Sequence, residues 1–134
     1  MTDSIRRLLA PSQPRHFPGQ RWLNILLRSL HLVGLAGIAG FFLFGASAPD
    51  VYWQLTLLSG VLLLMIYVWS SALWLLQLKG QVILFKLILL GLAMRYPAWR
   101  AELFIAILVL SGVIAHAPGS VRGWSPLGVG KGRC

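Results

Sequence analysis

The sequence predicts an all-α integral membrane protein: a bundle of four transmembrane helices with both ends of the chain in the cytoplasm. Three observations carry this. First, of 134 residues 57% are hydrophobic and 11% charged, against roughly 25% charged in an ordinary soluble domain. So small a soluble chain has no core large enough to hide that much apolar surface. Second, the apolar residues gather into four blocks, Leu30–Phe44, Leu55–Leu76, Val82–Met94 and Leu103–Ala115. None alternates polar with apolar as a membrane strand does. Third, the basic residues are distributed unevenly among the segments between the blocks.

Residues 1–21 form a basic segment predicted to lie in the cytoplasm, carrying Arg6, Arg7, Arg15 and Arg21. Residues 22–117 form the transmembrane domain, with spans at about 25–45, 53–76, 81–96 and 101–117. A bilayer core about 30 Å thick needs roughly 17–25 helical residues. The first two spans meet this easily, and the last two need their flanking residues. The alternative is two spans followed by a re-entrant hairpin. Trp22, Tyr52, Trp53, Trp74, Tyr96, Trp99 and Trp124 flank the blocks, as expected of aromatic belts at the headgroup level. Pro49, Pro97 and Pro118 fall at the breaks, where helices stop or start.

The segment before the first span is rich in arginine, and the first loop holds only Asp50. Lys79 lies in the second loop, Arg95 and Arg100 in the third, and Arg122, Lys131 and Arg133 in the tail, residues 118–134. By the positive-inside rule both termini are cytoplasmic, and the compact layout points to a bacterial inner membrane. The net charge of +9 reads as topology and attraction to anionic headgroups, with no nucleic-acid role. The expected partners are the lipid, other membrane proteins or further copies of the chain.

Several motifs are set aside. "ASAPD" imitates a cleavage site after an apolar stretch, but nearly thirty residues precede that stretch, so it is expected to remain uncleaved. "GVGKGRC" lacks the spacing and hydroxyl of a phosphate loop. Cys134 is the sole cysteine, which leaves no internal disulfide.

Polar residues inside the spans are costly and are candidates for function by default. Asn24, Arg28 and His31 are spaced i, i+4, i+7 and share a face of the first helix, while Lys86 lies in the third; Asn24, Arg28 and Lys86 make up an intramembrane polar cluster. Thr56, Ser59, Gly60 and Tyr67 follow helical spacing on the second helix. His31 and His116 fall at matched depths on different helices. One reading makes these two histidines axial ligands of a b-type haem or of a metal, since neutral imidazole suits both. The other makes them hydrogen-bonding groups between helices, with Gly34, Gly37 and Gly40 packing against the Ser59–Gly60 region and no cofactor bound. This second reading is the expectation: an accessory, assembly or interaction partner in a membrane complex, with no evident catalytic site. A small transporter is the weakest alternative. The only acids, Asp3, Asp50 and Glu102, lie outside the middle of every span, where a proton-coupled carrier needs one.

Overall fold

The computed structural model describes residues 15–72, 75 and 77–122. The chain divides into two compact units, Met1–Ala72 and Leu73–Cys134, and the described residues are helical with short connections and no strand. Expectations for Arg6, Arg7, Trp74, Trp124, Lys131, Arg133 and Cys134 lie outside the described residues.

The first unit is a pair of helices, α1 (Gln20–Phe44) and α2 (Asp50–Ser70). Gly19 precedes α1 with φ 81°, a left-handed turn open to glycine without strain. The Gln20 side-chain oxygen accepts from the Phe17 N–H at 3.2 Å, while the Gln20 N–H donates to the Phe17 carbonyl at 3.1 Å. This reciprocal pair fixes the entry of the helix. Gly45, at φ 67°, ends α1 as the Gly45 and Ala46 N–H groups turn back to the Phe41 and Gly40 carbonyls, satisfying carbonyls that the helix end leaves over.

Along α1 the buried residues are Gln20, Leu27, Gly34, Ile38 and Phe42, a single stripe at helical period. That stripe faces α2, the neighbour against which α1 packs. At the far end of the pair, Trp53 closes on Phe41 and Phe42 at ring-centroid distances of 5.3 and 5.8 Å. At the near end the chain ahead of α1 is tied to the end of α2. The Arg15 N–H donates to the Ser70 carbonyl at 3.0 Å, the Ser70 hydroxyl donates to the Arg15 carbonyl at 2.9 Å, and the Phe17 ring meets Trp69 edge-on.

Helix α2 ends where Ser71 takes an extended backbone, φ −169° and ψ 121°, with its N–H closing the last turn on the Tyr67 carbonyl. Helix α1 begins at Gln20, ahead of the expected first span.

The second unit comprises α3 (Leu78–Arg95), a short 3₁₀ turn at Pro97–Trp99, α4 (Arg100–His116) and α5 (Gly119–Arg122). The turn brings α4 back along α3, and α5 rests on α3. Gly80, Ala93 and Phe104 are the buried residues of α3 and α4.

Three helical stretches are long and apolar enough to cross a membrane: Gln20–Phe44, Asp50–Ser70 and Pro97–His116. The remaining helix, Leu78–Arg95, is not among them; it carries Lys79, Lys86 and Arg95. Large apolar side chains on the outward faces, among them Leu32 at 65% and Leu57 at 66% exposure, need an apolar surrounding. These faces and the three stretches support a membrane protein.

Candidate functional site

The polar residues of α1 collect where α1 and α2 touch. Two glycines set how closely the helices approach. A methyl group at Gly34 would run into the Thr56 hydroxyl and lie 2.7 Å from the Thr56 backbone nitrogen. One at Gly37 would coincide with the Tyr52 ring and lie 2.7 Å from its Cβ. Only hydrogen fits at either place. Gly40 does not share this role, since a methyl there meets only the Ala46 Cβ at 3.8 Å. The seam therefore runs Gly37 to Tyr52, Gly34 to Thr56, and His31 to Ser59 and Gly60. Gly34 and Gly37 do not meet the Ser59–Gly60 region as the sequence suggested; they lie one and two turns further along.

His31 crosses the seam. Its Nδ1 is 2.9 Å from the Thr56 carbonyl oxygen and 3.1 Å from the Ser59 hydroxyl. A carbonyl only accepts, so Nδ1 donates its N–H to it. The Ser59 hydroxyl, buried at 2% exposure, donates to the Leu55 carbonyl and presents its oxygen to the imidazole. Gly60 makes room for the ring, because a methyl there would lie 3.1 Å from the His31 Cε1.

Arg28, one turn nearer the Arg15 end, donates from Nε to the Tyr67 hydroxyl at 3.0 Å and from an Nη to the same oxygen. Asn24 lies a further turn along, with its Oδ1 buried and unpartnered among the described residues.

The second unit holds the other candidates. Lys86 donates from Nζ to the Ser111 hydroxyl at 3.1 Å, and that hydroxyl donates to the Ile107 carbonyl at 2.7 Å. His116 is exposed, with Nδ1 2.8 Å from the Gly112 carbonyl of its own helix, to which it donates. At the start of α3, burial and then the Arg122 charge hold the Lys79 ammonium below the ordinary lysine value.

His31 and His116 belong to different units, as do Lys86 and the Asn24–Arg28 face. Within the first unit, Arg28, His31, Gly34, Gly37, Ser59 and Gly60 come together. Sequence reasoning missed the acceptor role of Tyr67, the Thr56 carbonyl and the pairing of Lys86 with Ser111. The last had a signal, since both are polar residues well inside apolar helices. A backbone acceptor has none, because every residue offers one.

Among the described residues no group of three or more His, Cys, Asp or Glu side chains could hold a metal ion. The arrangement ties α1 to α2 through Arg28–Tyr67 and His31–Thr56/Ser59, and α3 to α4 through Lys86–Ser111. It fixes register and rotation between apolar helices that hydrophobicity alone leaves free to slide. No family model, curated protein or solved structure matches this chain.

Proposed function

We propose that this chain is a multi-pass protein of a bacterial inner membrane that works by helix packing, as an accessory or assembly partner of a larger membrane complex. In this reading all four helices cross the bilayer as one bundle and both termini face the cytoplasm. Helix α3, at 18 residues, rises about 27 Å, close to the hydrocarbon thickness. Its Lys79 and Arg95 lie at the ends and leave Lys86 as the one interior charge. Arg15, Arg21 and Arg28 mark the cytoplasmic end of the first unit, and Lys79 and Arg122 that of the second.

The observation that carries the reading is the use made of the intramembrane polar groups. His31, Arg28 and Lys86 each bond a neighbouring helix of their own unit, so they act as fasteners. Broad apolar faces remain turned outward on every long helix. Photo-crosslinking residues at Leu32, Leu57, Leu84 and Leu108, one on each long helix, test this in native membranes. A discrete polypeptide adduct from one face, with lipid adducts from the others, is expected. Lipid adducts from all four positions would contradict it.

One observation favours a second reading, a b-type haem held by His31 and His116. Both rings donate Nδ1–H to a backbone carbonyl, which orients the imidazole as in the usual outer-shell pattern of a metal-bound histidine. The haem would supply one-electron chemistry; the chain's part would be to orient the two rings. A visible spectrum of the purified protein separates the readings. A Soret band abolished by His31→Ala and by His116→Ala supports the haem, and its absence from protein purified after growth with added haem supports packing.

A further inference from the structure

Lys86 poses a balance problem that its own unit does not solve. It is the ninth of eighteen residues in α3, about 12–14 Å of helix rise from either end. An ammonium has three hydrogens to donate, and among the described residues the Ser111 hydroxyl is its one acceptor. The only acid in the second unit is Glu102, in the first turn of α4. Nine residues separate it from Ser111, about 13–14 Å along the helix, so it does not reach.

A second copy of the chain offers nothing better. Its acids are Asp3, Asp50 and Glu102; Asp3 precedes α1, and the other two sit at helix starts. A lipid phosphate lies at the wrong depth. Ser111 fixes the Nζ about five residues inside the end of α4, roughly 7–8 Å below it, whereas headgroups lie outside the hydrocarbon. What matches an ammonium at that depth is a carboxylate on another helix. Space for such a helix exists beside the site. Gly112 follows Ser111, faces outward, and has nothing within 4 Å of where a Cβ would be, which lets a second backbone come close.

We infer that Lys86, held in place by Ser111, is the docking point for a transmembrane helix of a different protein carrying Asp or Glu at the depth of Ser111, about five residues inside the His116 end of α4. This rests on the reading of the chain as a packing partner with α3 across the bilayer, and it names the chemistry of the partner.

The test uses the full-length chain in phosphatidylcholine vesicles with designed polyleucine helices bearing Glu, Gln or Leu about five residues inside one end, association being read by energy transfer. The Glu helix should bind about tenfold more tightly than the Gln helix. Lys86→Arg should keep that preference and Lys86→Met should lose it. Equal binding of the Glu and Gln helices by the unmodified chain would overturn the inference, as would a preference that survives in Lys86→Met. Adding phosphatidylglycerol should leave the preference intact; its disappearance would assign Lys86 to a headgroup and equally overturn the inference. Should Lys86→Met misfold, the Glu-against-Gln comparison on the unmodified chain still decides. The crosslinks from outward positions in native membranes are read separately. If they persist while the Glu and Gln helices bind alike, the packing reading stands and only the role of Lys86 falls.

Discussion

Replacing Gly34 with alanine adds one methyl group at the tightest point between α1 and α2. That methyl would lie 2.7 Å from the Thr56 nitrogen and 3.0 Å from its Cα, against about 3.5–4.0 Å for ordinary contact. Backbone cannot rotate away, so the helices must part by about 1 Å. The parting stretches the His31 bond to the Thr56 carbonyl, now 2.9 Å, beyond hydrogen-bonding range. Overpacking costs about 1–3 kcal/mol, and an interhelical bond in a membrane about 0.6 kcal/mol with a ceiling near 1.7. The sum is about 2–4 kcal/mol. Reversible unfolding in dodecyl sulfate mixed micelles, followed by tryptophan fluorescence and circular dichroism, measures it. Gly91→Ala and Gly112→Ala are the controls, since nothing lies within 4 Å of either added methyl; both should be neutral or stabilise by about 0.5–1 kcal/mol. A Gly34→Ala protein within 0.5 kcal/mol of the parent, or a Gly112→Ala protein equally destabilised, would refute the packing argument.

Gly37→Ala meets the Tyr52 ring and its Cβ, 2.7 Å away and not moved by ring rotation, so the same titration should show a loss of about 1–3 kcal/mol. His31→Phe should cost up to about 1.7 kcal/mol, whereas Thr56→Ala should cost less, because the imidazole bonds the Thr56 backbone and the Thr56 hydroxyl donates within its own helix to the Tyr52 carbonyl. Tyr67→Phe should cost only about 0.2–1 kcal/mol, since the exposed Arg28 guanidinium can turn to water or headgroups. For Lys79, the lowered value means that the folded protein holds the proton less tightly than the unfolded chain. Stability should therefore rise as pH climbs through that lowered value towards the ordinary lysine range, and Lys79→Gln should flatten the rise.

The helices were legible because long apolar runs broken by proline and short polar loops have few alternative readings. The face bearing Asn24, Arg28 and His31 was legible too, since i, i+4, i+7 spacing on a 3.6-residue period places them together. Its register against α2 was not. Glycine, serine and threonine recur along both helices, so several registers bring small residues opposite one another. What selects this one is His31 reaching a backbone carbonyl, and carbonyls carry no mark in a sequence. The end of α2 at Ser70 was equally hidden, because the apolar run continues past Ser71, where the backbone turns extended. Lys86 stood out, but as a charge without a partner; Ser111 became its acceptor only once the turn at Pro97–Trp99 had brought α4 back along α3.

Native mass spectrometry of the protein extracted from its own membranes in mild detergent decides whether this chain works by packing against another polypeptide. The 14.8 kDa chain is expected bound to at least one other polypeptide, with no haem-sized adduct on it. The 14.8 kDa chain appearing alone at every detergent strength, or carrying a haem-sized adduct, would contradict the packing reading.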